Sequence, residues 1–256
     1  MMPDFLRAWL SQRTAGARFP LGDVTLPRRF RGRPACAADA ATVSEAGDVA
    51  RLPHGHDAPG RKLPVLDLGA CLFSPEESSA MSGHGVSFTR DHRLASSTRA
   101  GLVSSDGAEA LVTPLNDAMR RIFGRSLRLR SVSAGSCGGC EAELTALNNV
   151  VFDMGRFGIE FVASPRHADG IVVTGAVSRN MRSALRNTYE AVAHPKIVIA
   201  VGACALSGGP FAESGEVLGG VPEEIPVDLW IPGCPPHPFT VLDGLLRLLG
   251  RLQGAA

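Results

Sequence analysis

The sequence predicts a doubly wound, mainly parallel α/β sheet in residues 113–256, preceded by a small irregular domain in residues 1–112. Two observations point to the sheet. Five apolar runs alternate with helical patterns from Ser126 onward, and several runs are apolar at consecutive positions, as strands covered on both faces require. A third observation concerns the first quarter of the chain, where no helical or strand period is sustained.

Residues 1–64 are rich in Arg, Ala, Gly and Pro, and "RFRGRP" and "LPHGHDAPGRKLP" break any period that begins there. Between Val65 and Val112, the apolar pieces "VLDLGACLF" and "GVSFT" suit short strands or single helical turns separated by Ser/Gly turns. "TPLNDAMRRIFG" predicts a short amphipathic helix with Thr113 as N-cap, Pro114 at its first position and Gly124 as its stop. "LRLRSVS", "IEFVAS", "GIVVTG", "KIVIAVG" and "VDLWIP" then read as strands. "EAELTALNNVVFDMG", "SRNMRSALRNTYEAVA" and the closing "PFTVLDGLLRLLGRL" read as the helices between and after them.

At 256 residues, with 45% hydrophobic and 20% charged residues, the chain is long enough to bury a sizeable core. No apolar run approaches the roughly 20 residues of a membrane-spanning helix. The start "MMPDFLRAWLSQR" is too short and too interrupted for a secretion signal, so a cytosolic location is expected, compatible with docking on a membrane complex. The net charge of +1 conceals an asymmetry: residues 1–130 carry 18 Lys/Arg against 13 Asp/Glu, and the remainder 8 against 12. With a single Tyr and little interleaving of aromatics with the basic residues, a nucleic-acid-binding surface is not expected. An arginine-rich solvated face, or docking onto an acidic partner, accounts for the positive half.

Six cysteines in a reducing compartment point to metal ligands or redox groups rather than disulfides. Cys137 and Cys140 follow the first predicted strand, Cys204 follows "KIVIAVG" and Cys234 follows "VDLWIP". In a parallel sheet the C-terminal strand ends share one edge, and ligands bind in the crevice outside it. Four thiolates converging there suit an iron–sulfur cluster or a structural zinc, whereas the C-x₂-C pair taken alone also matches a thioredoxin-like redox pair. The glycines in all three cysteine loops favour the bulkier cluster, because they let backbone N–H groups approach inorganic sulfide.

"CGGCEAE", "SPRHADGIVVTGAVSRNMRSALR", "VGACALSGGPF" and "IPGCPPHPFTVLDGLL" resemble the cluster-bearing small subunit shared by membrane-bound group 4 [NiFe] hydrogenases, including formate hydrogenlyase, and by complex I as its 20 kDa subunit. The resemblance covers roughly residues 125–251. It implies a flavodoxin-like fold that carries one [4Fe–4S] cluster on Cys137, Cys140, Cys204 and Cys234. Complex I subunits have two adjacent cysteines in the first motif, so the C-x₂-C of this chain, with "SPRHAD" and "TGAVSRNMRS", is similar to the hydrogenase branch. The implied function is electron transfer to or from the active site of a hydrogenase-type large subunit, on the cytoplasmic face of a membrane complex. A ferredoxin-like subunit is the implied electron partner, and membrane subunits are indirect partners. A quinone-reducing complex is the alternative within the family, and a zinc-stabilised interaction module is the alternative from another class.

"RGRPAC", "LDLGACLF" and "VSFTRDHRLAS" resemble a two-cluster ferredoxin subunit fused to the front. Such a subunit needs eight cysteines, and only Cys36 and Cys71 are present, with "CLFSPEESSA" where a C-x₂-C-x₂-C run would stand. The reading is a degenerate, cluster-free remnant kept for docking, with Cys36 and Cys71 as ordinary small residues. Glu141 and Glu143 open the helix after the cysteine pair, where they favour its N-terminus; Glu143 is equally a candidate for a proton path. His237, three residues past Cys234, is a candidate to tune the cluster by hydrogen bonding. Arg166 and His167 precede a strand on its N-terminal side, where they are expected to pack or pair.

Overall fold

The computed structural model describes residues 3, 6–7, 16–22, 24–36, 55–56, 65–82, 85–104 and 112–252. Five parallel strands form the central sheet: β6 (Leu127–Ser133), β7 (Ile159–Phe161), β8 (Gly170–Thr174), β9 (Ile197–Val201) and β10 (Leu229–Ile231). Their order is β10-β9-β8-β6-β7. The chain therefore leaves β6 to one side for β7 and returns to the other side for β8, and the crevice lies beyond that point of reversal.

Every residue of β8 and β9 is buried, which explains their unbroken apolar runs. Val172, Ile197, Ile199 and Val201 point into one core. Ile171, Val173 and Val198 point into the core on the opposite face. β6 instead alternates between buried and open positions, so its arginines stay in reach of solvent.

Helices cover both faces. On one side lie α2 (Asp117–Phe123), α3 (Gly139–Ala146) and α6 (Pro238–Leu248), which contribute Phe123, Leu144 and Leu242 to the larger core. On the other lies α4 (Arg182–Ala191), through Leu185. A short α5 (Ala203–Ser207) follows β9. All eleven residues of α6 are buried, including the ion pair in which Arg247 Nε donates to Asp243 Oδ2 at 2.8 Å.

The N-cap of α2 is Asn116, whose side chain accepts from Met119 N at 2.9 Å, and not Thr113 as the sequence suggests. Thr113 is engaged elsewhere, its N–H donating to Ser97 Oγ at 2.7 Å, and Leu115 N donates to Leu248 O. Those tertiary bonds keep residues 113–115 out of the helix.

The first part of the chain contains β1 (Pro34–Cys36) paired with β4 (Val86–Phe88), and β2 (Gly55–His56), β3 (Val65–Asp67) and β5 (Val103–Ser104) in a second small antiparallel sheet. A helix, α1 (Pro75–Ser82), lies between β3 and β4. This part shares a core with the central sheet: Leu68, Leu94 and Leu102 pack on Ala200, Ala205 and Leu206. Ser96 exchanges both backbone hydrogen bonds with Trp230, at 3.0 and 2.8 Å, so the outer edge of β10 is covered. Arg99 fastens the same contact. It grips Asp67 with two bonds of 2.7 and 2.6 Å and donates to Leu206 O at 3.2 Å. Among the described residues, no helix is long and apolar enough to cross a membrane.

Candidate metal centre

Cys137 and Cys140 stand in the loop after β6 and the first turn of α3, Cys204 in α5 directly after β9, and Cys234 in the loop after β10. All four lie at the C-terminal edge of one parallel sheet, although 63 residues separate Cys140 from Cys204 and 29 separate Cys204 from Cys234. Hydrogen bonds between loops hold the edge together. Gly202 N donates to Ile231 O, and Ala203 N donates to Gly233 O, both at 2.9 Å.

The thiols are close enough to feel one another's charge. Burial pushes Cys140 up to about 12, and the Glu141 carboxylate and then the thiols of Cys204, Cys234 and Cys137 add to the push. Burial, then Cys234 and Cys137, pushes Cys204 up to about 11. Cys234 is raised in the same sense by burial, then by Cys137 and Glu77. A site that raises Cys140, Cys204 and Cys234 this way holds these three protonated until a cation arrives, and loading then releases protons. Cys137 and Cys234 are exposed, whereas Cys140 is half-buried and Cys204 buried, so the site opens on the Cys137 and Cys234 side. Among the described residues, no group of three or more Cys, His, Asp or Glu side chains is placed to hold a single metal ion.

Room at the site comes from glycine. Gly202 has φ +89°, and a β-carbon there would overlap Cys140 Sγ; one at Gly209 (φ +51°) would lie 3.0 Å from Cys204 Sγ. Gly202→Ala is therefore expected to leave a folded chain with its thiols displaced. Iron uptake on reconstitution should fall several-fold, and circular dichroism should change little.

The loop after β6 is anchored by Glu141. Its Oε1 accepts from Ser136 Oγ at 2.5 Å and from Thr174 Oγ1 at 2.6 Å, tying the cysteine loop to the end of β8. Burial alone would raise this carboxyl, but the bonds from Ser136, Thr174 and Ser133 outweigh it and hold it below the ordinary carboxylate range. Favouring the helix N-terminus is thus only part of what Glu141 does. The hydroxyls of Ser136 and Thr174 carried no motif by which the sequence would have singled them out. Glu143 is half-buried, and burial raises its carboxyl. It lines a cavity of about 200 Å³ that it shares with Cys234, His237 and Thr240.

His237 is the N-cap of α6: its Nδ1 accepts from Phe239 N at 3.2 Å. That bond leaves the proton of the neutral ring on Nε2. Phe30, Phe152 and Phe239 surround the ring at centroid distances of 5.6, 5.9 and 5.4 Å. Burial, and then nearby His92, lowers its pKa to about 4. The native ring is thus neutral where the unfolded one binds a proton. Its contribution to stability is present above about pH 6.5 and is lost as the pH falls toward about 4. The thermal midpoint should drop on acidification through that window, and His237→Asn, which keeps a cap acceptor, should flatten the slope.

Arg166 and His167 are exposed in the turn before β8, at the edge opposite the thiols. Cys71 is buried beside Glu77, with Sγ to Oε2 at 3.5 Å, and burial pushes its thiol up. Cys36 pairs in β1, and its side chain lies outside the described residues.

The family described as NADH ubiquinone oxidoreductase, 20 Kd subunit, matches residues 137–248. Formate hydrogenlyase subunit 7 of Escherichia coli (strain K12) is 46% identical over 129 residues, 50% of this chain and 51% of that protein. The chain thus spans about half the length of that relative. An NADH-quinone oxidoreductase subunit of Phocaeicola vulgatus is 44% identical over 153 residues, 59% of this chain and 75% of that protein. Among solved structures, a chain of the membrane-bound sulfane sulfur reductase, an archaeal respiratory membrane complex, is 31% identical. That match covers 53% of this chain and 75% of the other, with a TM-score of 0.47.

Proposed function

The chain belongs to the NADH ubiquinone oxidoreductase 20 Kd subunit family, and from that premise we propose that it is an electron-transfer subunit holding one [4Fe–4S] cluster on Cys137, Cys140, Cys204 and Cys234. The observation that supports this reading is that the three distant loops carrying the four cysteines all stand at the C-terminal edge of one sheet, where a β-carbon at Gly202 would overlap Cys140 Sγ. The donor set is all sulfur, as iron–sulfur ligation asks. When bound, the cluster supplies a one-electron couple. The chain's own residues do the rest: four thiolates grip, Glu141 fixes the loop that carries two of them, and Gly202 and Gly209 leave room.

The relatives are named as subunits of oxidoreductase complexes, and this chain is read as one too, not catalytic alone. Its proposed partner is a hydrogenase-type large subunit meeting the open Cys137 side, with a ferredoxin-like subunit as the other electron partner, on the cytoplasmic face of a membrane complex. The C-x₂-C of Cys137 and Cys140 favours this over the quinone-reducing alternative. The strand order supports a flavodoxin-like reading of residues 113–256. The part before residue 113 is read as a cluster-free ferredoxin remnant.

Anaerobic reconstitution tests the reading. About four iron and four sulfide per chain, a brown colour and an electron paramagnetic resonance signal on reduction are expected. The Cys36→Ser/Cys71→Ser double variant should keep all three. A colourless chain that binds zinc overturns the proposal. So does a wild-type chain with twice that iron that falls by half in the double variant.

A further inference from the structure

Electron relay through the four cysteines makes no use of the chain before residue 113, yet that part walls one side of the site. The cavity beside Cys234 is lined by Pro232, Gly233 and Cys234 together with Arg31, Leu72 and Phe73 from the N-terminal part. The lining from the N-terminal part is held in an unusual backbone conformation at Phe73. Phe73 has φ +55°, a left-handed value that is costly for a bulky aromatic and persists only where the surroundings over-determine it.

The surroundings do so here. The Glu77 carboxylate accepts from Leu72 N at 3.0 and 3.2 Å and from Ser74 N at 3.1 Å, and Ser74 Oγ accepts from Glu77 N at 3.1 Å. Phe73 N donates to Cys71 Sγ at 3.4 Å, and its ring packs on Phe88 at 5.6 Å. Phe73 O, turned outward by the left-handed backbone, accepts from Arg31 Nη1 at 3.2 Å. This turn therefore fixes two opposite charges near Cys234. The Arg31 guanidinium is half-buried at the cavity wall. The Glu77 carboxylate, 6% exposed, lies one hydrogen bond behind Leu72.

We propose that Arg31 and Glu77 are positioning residues, supplied by the N-terminal part of the chain, that set the reduction potential of the group held on the four cysteines in opposite directions. The proposal rests on the cluster reading above. Reduction adds one negative charge to the site, which a fixed cation stabilises and a fixed anion opposes. The burial of Glu77 and the half-burial of Arg31 limit screening by salt.

The test is a potentiometric titration of the reconstituted full-length chain. Dithionite supplies one electron per chain and is itself oxidised, ferricyanide removes the electron, and no bond to the chain is made or broken. Iron content is measured first. Arg31→Gln should lower the potential and Glu77→Gln should raise it, each by about tenfold in the ratio of reduced to oxidised chain, or about 59 mV for a one-electron couple. Arg31→Lys, which keeps the charge, should stay near wild type. Arg31→Glu should roughly double the downward shift, and it costs the turn only the bond to Phe73 O, leaving the Glu77 and Ser74 bonds of residues 71–77 in place, so the sign test survives a failure of Glu77→Gln to fold. Shifts of Arg31→Gln and Glu77→Gln in the same direction would mean only that a loosened wall admits water, and would overturn the proposal. So would unchanged potentials at full iron content. A wild-type chain that takes up no iron overturns the cluster reading and this inference together, an outcome the iron measurement separates from the others.

Discussion

Cys234→Ser, and independently Cys204→Ser, should strip most of the iron from the reconstituted chain while leaving it folded. Each residue is the only cysteine of its loop, and the loops arrive from strands far apart in sequence. The remaining described thiol, Cys71, is buried with its sulfur engaged by Glu77 and Phe73 N, so it is not free to substitute. A serine hydroxyl does not ionise at neutral pH as a thiol does, and it binds soft iron poorly. The broad absorbance near about 400 nm typical of iron–sulfur chromophores should fall with the iron, while far-ultraviolet circular dichroism stays near wild type. Retention of the full wild-type iron and sulfide by Cys234→Ser would remove Cys234 from the proposed ligand set.

Asp243→Ala is expected to be the most damaging single change to stability. Asp243 and Arg247 pair within α6, with side chains only 4% and 9% exposed, and the helix is buried along its whole length. Removing the carboxylate strands a guanidinium away from water, which costs about 3–5 kcal/mol for a buried pair. That is a large share of the roughly 5–15 kcal/mol that holds a typical domain folded. The double change Asp243→Leu/Arg247→Met removes both charges and should recover most of the loss, because replacing a buried pair by apolar groups is often close to neutral. Urea midpoints of the two variants, measured without metal, decide the matter: equal destabilisation of both would show that the pair's packing, rather than its charge, is what α6 depends on.

The central sheet was legible because its signals are local. "GIVVTG" and "KIVIAVG" became β8 and β9, buried at every position, and "LRLRSVS" became β6 residue for residue. The placement of Cys137, Cys140, Cys204 and Cys234 at one edge follows from the same patterns, since strand ends in a parallel sheet share an edge wherever the strands fall in the order. The position of Arg166 and His167 ahead of β8 follows likewise, although both are exposed where packing or pairing was expected.

What depended on contacts between distant segments was not legible. Thr113 carries the right side chain for an N-cap, but Ser97 and Leu248 claim the backbone around it and pass the cap to Asn116. His237 reads as a histidine near a cysteine; only the fold shows it among Phe30, Phe152 and Phe239 with Nδ1 spent on a helix cap. The irregular composition before residue 113 suggested a separate unit, and nothing in it announces that Ser96 pairs with Trp230 or that Leu94 and Leu102 finish the core at β10. By itself, then, the sequence determined the strands, their parallel arrangement and the edge where the cysteines gather, because period and burial are written in neighbouring residues. The tertiary structure alone decided the walls of that edge, the left-handed turn at Phe73 and the charges of Arg31 and Glu77 beside Cys234, because a hydrogen bond or a packed ring between segments tens of residues apart leaves no periodic trace in either one.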